Sequence, residues 1–359
     1  MSKTKVFVNA WVGAGNLGDE LLFGCLLRRL REFGVTDVTT ISLNPPETER
    51  RFSVKALSPR DVAGSLREIR TSELLILGPG GILQDDTSPW SLPYQLHRVV
   101  MAKKVGVPVL GMGLGVGPIR RRSSRLLLRR ILNDTGPLGV RDLESSELLS
   151  GLGLVQATPT ADLVISSPIP DVSPVNRVVV CLRPHKRGGG WLPVTMQKDR
   201  PQQDYLGHMA RALDVIAESL DTECRFVAFE PHRDHPLHER VASLMRTPTS
   251  LCVPELDTIL VEVAQARAVV AMRFHSAIAA LITQRPTVMI GYAPKVASLA
   301  GRLGDSFGYV RNDAEDFLAL PHKLEEAMAV APATIANHLE EFREAESGNA
   351  ILLRDALAG

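Results

Sequence analysis

Apolar positions along this chain come in short runs rich in β-branched residues, each followed by a longer stretch in which they recur every three or four positions. Runs of the first kind read as strands buried on both faces, and stretches of the second as amphipathic helices. In the first half, strands are predicted at Lys5–Trp11, Val38–Ser42, Glu73–Leu77, Val107–Gly111 and Leu138–Arg141. Helices are predicted between them at Asp19–Phe33, Pro59–Arg70, Leu92–Val105, Ser123–Asn133 and Glu144–Leu152. Ser58 before Pro59 has the form of a cap followed by proline at the first helical position. The segment SSPIPDVSPVNR, from Ser166 to Arg177, carries three prolines and three serines without periodicity and reads as a linker. Strands then resume at Arg177–Leu182, Arg225–Phe229, Ala268–Met272 and Thr287–Gly291, separated by helices, and the chain ends in helices.

Alternation of this kind predicts parallel βαβ units and an α/β fold class. We expect two Rossmann-like, doubly wound domains, residues 1–170 and 171–359, with binding groups projecting from the carboxyl ends of strands into the cleft between them. With 359 residues, each domain can bury its own core. A net charge of +1 gives no global pull toward a polyanion, so any electrostatic function must be local. Aromatic content of 5 %, with none interleaved among basic residues, argues against nucleic-acid binding. Cys25, Cys181, Cys224 and Cys252 lie far apart in apolar runs and read as buried reduced thiols. The N-terminal MSKTK leads directly into a strand, and apolar runs break well short of a bilayer span, so a cytoplasmic setting is expected.

Gly13-x-Gly15-x-x-Gly18, after a strand and before a helix, has the layout of a dinucleotide-binding turn. The tip of the second strand, SLNPP, lacks the acidic residue that would hold ribose hydroxyls. Asp19 and Glu20 occupy the helix start where a pyrophosphate would sit, and their charges repel an anion. The nucleotide reading therefore fails, leaving a close backbone turn with Asn16 and Asp19 available to hydroxyl groups. Anion chemistry appears in the second half instead. The strand RVVVCLRPH ends in Arg183, and ARAVVAMRFHSAIAALI places Arg273, Phe274 and His275 at a strand–helix junction with Ser276 as the expected cap. Guanidinium forks match carboxylate and phosphate geometry.

Several motifs together resemble the polysaccharide pyruvyl transferase family, especially its bacterial branch acting on cell-wall polymers. They are GNLGDELL, LGPGGILQDDTS, GLGVGPI, GVRDLESSELL, TADLVI, RFHSAIAAL and GYAPKV, spread over nearly the whole chain. The resemblance implies a GT-B-like fold of two Rossmann-type domains, the first on the acceptor side and the second on the donor side. It implies transfer of the pyruvyl carbons of phosphoenolpyruvate onto two hydroxyls of one sugar, forming a ketal and phosphate. It also implies an acceptor saccharide, which can be linked to undecaprenyl diphosphate. The family's donor-binding Arg and Arg-x-His pattern match Arg183 and Arg273-Phe274-His275, with Lys295 a further donor-binding candidate. Two departures stand out: Ala293 replaces a frequent Asp, and Pro79 interrupts a run of glycines.

On this reading Arg273 and His275 are catalytic and donor-binding, and Asp85 serves catalysis and acceptor binding together with Asn16, Asp19 and Gln84. Asp86 is weighed between acceptor binding and a capping role. No metal and no cofactor beyond the co-substrate are needed, because phosphate departs with its electron pair. His232, His235 and His238 have suggestive spacing for a metal, but Pro231 and Pro236 interrupt the helix that would align them, so a solvated loop and helix start is expected. PIRRRSSRLLLRR gathers six arginines in thirteen residues. Its first three oppose a helix dipole, which leaves room for contact with a diphosphate or an anionic membrane surface. A GT-B nucleotide-sugar glycosyltransferase and a non-catalytic saccharide-binding protein are the alternatives in other function classes.

Overall fold

The computed structural model describes residues 4–86, 88–184 and 203–358. These divide into two compact units, residues 4–166 with 342–358 and residues 167–184 with 203–341. The second half of the terminal helix thus groups with the first unit, a difference from the division expected at residue 170.

In the first unit, β1 (Lys5–Asn9), α1 (Leu17–Glu32), β2 (Asp37–Ile41), α2 (Pro45–Phe52) and β3 (Lys55–Leu57) come first. Then follow α3 (Val62–Arg70), β4 (Leu74–Leu77), β5 (Gly80–Leu83), α4 (Ser91–Val105) and β6 (Val109–Val116). The unit continues with α5 (Arg122–Leu132), β7 (Leu138–Val140), α6 (Leu143–Gly151) and β8 (Ala157–Pro159). The strands lie in the order β3-β2-β1-β4-β6-β7-β8, with β5 beside β6. Every pairing is parallel, including Val6 opposite Val38 and Phe7 opposite Leu75. Such strands are covered on both faces, which is why VFVN and LLIL carry no alternation. Phe7, Leu75 and Leu77 pack there with Leu96, Val99, Leu128 and Leu132 in one core.

The second unit begins with β9 (Arg177–Cys181), α7 (Gln203–Leu220), β10 (Glu223–Val227), α8 (Pro231–Ala242) and β11 (Thr249–Cys252). Next come α9 (Ile259–Ala264), β12 (Ala268–Ala271), α10 (Phe274–Ile282), β13 (Thr287–Gly291) and α11 (Pro294–Leu303). It closes with β14 (Phe307–Arg311), α12 (Leu320–Ala329) and the start of α13 (Pro332–Ala358). The sheet order is β11-β10-β9-β12-β13-β14, again parallel. In this doubly wound arrangement the winding reverses between β9 and β12, and the crevice at the carboxyl ends there is where such sheets bind ligands. The first sheet reverses in the same way between β1 and β4.

Two predicted boundaries shift for identifiable reasons. Helix α3 begins at Val62, not Pro59, because the Asp61 carboxylate accepts the amide of Gly64 at 2.7 Å and caps the helix better than Ser58 can. In α8, the expected helix start is present, but it lies at Pro231 and the helix runs continuously through Pro236, so HRDHPLH is helix without the expected loop.

Candidate active site

The carboxyl ends of β9, β12 and β13 deliver one cluster in the second unit. Arg183 lies just beyond β9, with its guanidinium carbon 4.1 Å from the centroid of the Tyr292 ring. Tyr292 immediately follows β13. Lys295, in the first turn of α11, places its ammonium 5.9 Å from the Tyr292 ring and 5.4 Å from the Phe274 ring. Phe274 stands edge-to-face with His275 at 5.5 Å between centroids. A continuous series of cation–π and ring contacts thus joins Arg183, Tyr292, Lys295, Phe274 and His275. Cation–π contacts of this kind contribute about 0.5–2 kcal/mol, the larger values where water is excluded.

Local sequence explains the placement. Helix α10, FHSAIAALI, is buried throughout, which suits a helix apolar on all sides. It therefore tucks under the sheet and holds His275 buried in its first turn. Arg273, not Ser276, is its N-cap residue, and the Ser276 hydroxyl donates back to the Arg273 carbonyl at 2.7 Å.

Arg273 departs from the expected open fork. Its Nε donates to Asp234 Oδ2 at 3.0 Å, its Nη2 contacts Asp234 Oδ1, and Glu230 Oε2 lies 2.8 Å from Nη2. The guanidinium is buried, and these carboxylates compensate its charge. Burial opposes ionisation of both acids. Arg273 and Arg233 outweigh it for Glu230, whose carboxyl is held below the usual range, whereas burial prevails for Asp234, whose carboxyl is raised. Arg273 consequently fastens the start of α10 to α8, a positioning task rather than an open anion grip.

Arg183 is different. No carboxylate forms an ion pair with it among the described residues, and its Nε is buried without a hydrogen-bond partner. Among the described residues its guanidinium is met by the Tyr292 phenol, through ring stacking and a hydrogen bond, and by no carboxylate. The cations act on Tyr292: burial raises the phenol, but Lys295, Arg183 and Arg273 together bring it down to about 8. Tyr292, Glu230 and Asp234 had no signal in the sequence reading, although GYAPK placed Tyr292 one residue beyond a predicted strand end.

The histidine trio serves structure. His238 is fully buried, and its Nε2 donates to the carbonyl of Leu182 at 3.0 Å, fixing the backbone just before Arg183. Burial depresses its pKa to about 4, so it is neutral at ordinary pH. His232 and His235 instead approach Glu230 and Glu239, each at 3.5 Å. No cluster suited to a metal is present among the described residues.

In the first unit, Asn16 caps α1, accepting the amide of Gly18 at 3.1 Å and donating to Asp19 at 2.6 Å. Glu20 is buried and accepts the amide of Gly13 at 2.8 Å, closing the positive helix end to a phosphate. Gly13 has φ +76°, and a Cβ there would lie 2.6 Å from the Asn44 amide nitrogen. The glycine spacing therefore reflects close backbone approach. Asn16, Asp19 and Gln84 remain partly exposed.

Asp85 corrects the expectation. Its carboxylate is fully buried and accepts the amides of Arg120 at 2.7 Å and Arg121 at 2.9 Å, directly before α5. Burial raises its carboxyl, but those amides and the Ser124 hydroxyl outweigh it and hold the group below the usual range. Asp85 is thus committed to anchoring a helix entry and is not presented to a ligand. Asp86 pairs with Arg120 at 2.7 Å, so two of the three arginines at the start of α5 have local counter-charges. The GVRDLESSELL and TADLVI motifs meet in a buried pair, Arg141 with Asp162 at 3.2 Å. A Cβ on Gly115 would lie 2.7 Å from Nη2 of Arg141, which explains the glycine.

Comparison with known proteins follows this geometry. A family model described as "Polysaccharide pyruvyl transferase" matches residues 16–294. No curated protein sequence matches the chain. Among solved structures, a UDP-N-acetylglucosamine 2-epimerase from Rickettsia bellii is similar with TM-score 0.61 at 11 % identity, over 99 % of this chain and 96 % of that one. A glycosyltransferase from Rickettsia africae gives TM-score 0.58 at 10 % identity over 99 % of both chains. The UDP-GlcNAc 2-epimerase of Methanocaldococcus jannaschii, in complex with UDP-GlcNAc and UDP, gives 0.56 at 13 % identity over 92 % and 94 %. At these identities the likeness establishes the fold, which is GT-B-like.

Proposed function

Since the chain belongs to the polysaccharide pyruvyl transferase family, we propose that it transfers the pyruvyl group of phosphoenolpyruvate to two hydroxyls of one sugar in a cell-wall saccharide. The observation that carries the donor assignment is Arg183: a guanidinium without a carboxylate partner among the described residues, stacked on Tyr292 beside Lys295, at the winding reversal of the second sheet. A small donor with a carboxylate and a phosphate satisfies that excess positive charge. Each charge-assisted hydrogen bond so formed contributes roughly 1.5–3 kcal/mol.

In the proposed reaction, a proton adds to the methylene carbon of phosphoenolpyruvate and leaves an oxocarbenium-like centre at C2. One sugar hydroxyl attacks C2 and loses its proton. The C2–O bond to phosphate then breaks, with phosphate keeping the electron pair. The second hydroxyl attacks the renewed cation and loses its proton, closing the ketal. Of the two protons released, one balances the proton added to carbon and the other is carried by phosphate. His275 and Tyr292 are the groups of this cluster proposed to move protons. Arg183 and Lys295 hold the donor's anionic groups, and Arg273 with Asp234 and Glu230 sets the position of His275. Asn16, Asp19 and Gln84 are proposed for the acceptor hydroxyls, without Asp85. Lipid linkage of the acceptor is part of the same proposal.

The test incubates the protein with phosphoenolpyruvate and a panel of lipid-linked disaccharides, following release of inorganic phosphate. Acceptor-dependent release that disappears in Arg183→Met supports the reading. Thermal stabilisation by nucleotide sugars, with none by phosphoenolpyruvate and no phosphate release, would replace it with the glycosyltransferase alternative.

A further inference from the structure

Helices α4 and α5 of the first unit frame a groove of about 410 Å³, lined by apolar side chains including Leu96, Val100, Met101, Leu127 and Ile131, with Lys104 at its edge. Apolar lining of this kind marks a contact surface when cations surround it. Here residues 87–133 contain nine Lys or Arg and no Asp or Glu, in a chain whose net charge is only +1. Three of these cations are accounted for: Arg98 is buried, Arg120 pairs with Asp86, and Arg121 pairs with Asp85. Lys103 has a loose pairing with Asp134 at 3.8 Å.

Of the other five, Lys104 lines the groove and four belong to α5, where Arg125 donates to the Ile119 carbonyl at 3.3 Å. Lys104, Arg122, Arg129 and Arg130 are exposed and form no ion pair among the described residues. Leu126 projects between them on the outer face of α5 with 67 % of its surface exposed. A surface built this way combines unpaired cations with an apolar slot and exposed leucine. A soluble polyanion would use only the charges and leave the slot wet, while a neutral apolar partner would leave the charges without complement.

We propose that the α4–α5 face docks on an anionic phospholipid bilayer, with Arg122, Arg129, Arg130 and Lys104 at the headgroups and the groove taking up acyl-chain or glycerol-level apolar surface. This is an interfacial contact: no helix among the described residues is long and apolar enough to cross a membrane. It does not rest on the donor reading above.

The experiment sediments the full chain with large vesicles of phosphatidylcholine alone or mixed with phosphatidylglycerol, at low and at physiological salt. Binding is expected to the anionic vesicles, at least tenfold tighter than to neutral ones, and to weaken as salt shortens the Debye length. Arg122→Glu/Arg129→Glu/Arg130→Glu removes three cations worth about fivefold each at such a surface, so affinity should fall by about a hundredfold or more. Val100→Asn/Leu127→Asn should reduce the binding that survives at higher salt, with the melting temperature checked alongside. Should that double variant fail to fold, exposed Leu126→Ser reads the same apolar contribution. Equal binding to both vesicle types, retained binding by the charge-reversed triple variant, or duplex DNA binding as tight as vesicle binding would each overturn the proposal.

Discussion

Ionisation of Tyr292 gives an optical readout of the cation cluster. The chain has four tyrosines. Burial pushes Tyr94, Tyr205 and Tyr309 above the ordinary phenol range. It opposes ionisation of Tyr292 as well, but Lys295, Arg183 and Arg273 overcome it and set that phenol at about 8. Against an unfolded value of about 10, two units at about 1.4 kcal/mol each amount to about 3 kcal/mol in favour of the phenolate. Titration followed by tyrosinate absorbance should therefore show one tyrosine ionising near pH 8, well separated from the others. Tyr292→Phe should delete that step, and Arg183→Met should raise it by about a unit. Linkage expresses the same difference as stability. The folded pKa is depressed, so the stabilisation is complete above about pH 10, diminishes as pH falls through 8, and is absent below. Wild type should accordingly gain up to about 3 kcal/mol over Tyr292→Phe between about pH 8 and 10. Saturating phosphoenolpyruvate, by neutralising the same cations, should move the step upward. If all four tyrosines ionised together above about pH 10, the cluster as described would be refuted. A step near pH 8 indifferent to phosphoenolpyruvate would refute the donor assignment alone.

Other expected outcomes follow from neighbouring features. Asp85→Asn leaves one buried amide of the Arg120–Arg121 pair without an acceptor, so urea unfolding at pH 7 should show a loss of about 2–4 kcal/mol. Substantial loss of turnover with unchanged stability would instead restore Asp85 to the chemistry. Arg183→Lys keeps the charge but loses the planar fork and ring stacking, and the KM for phosphoenolpyruvate should rise by about tenfold to a hundredfold with a smaller change in kcat; an unchanged KM would remove Arg183 from the donor site. His238, neutral when folded, should make stability decline as pH falls from about 6.5 toward 4, because the unfolded chain takes up the proton first. The contribution is about 3 kcal/mol, and His238→Phe, measured by denaturant unfolding across that range, should lack it.

Sequence periodicity carried most of the fold because parallel strands covered on both faces leave long apolar signatures. Thr287–Gly291 matches its observed strand end to end, and α1, α4 and α5 agree within two residues. Some of the elements missed had little apolar content to read, whereas β5 and β14 were missed because each is short and contains glycine. Helix α2 is PPETERRF, held by prolines in its first turn and only two buried residues, Thr48 and Phe52. Edge strands β3 and β11 each pair on one side only. Positions at strand ends were similarly legible, which is why Arg183, Arg273 and His275 emerged from the one-dimensional pattern. Their pairing was not. Whether an arginine is open or compensated depends on contacts such as Arg273 with Asp234, 39 positions apart, and no local rule supplies those. The GxGxxG turn shows the converse: its layout suggests a ligand turn, the acidic residues after it argue for a close backbone turn instead, and Gly13 does pass close to the backbone beyond β2. Position along a fold therefore identified where chemistry can occur, while charge compensation decided which residues are left to perform it. By that criterion the proposed donor site turns on Arg183, not on the more familiar-looking Arg273.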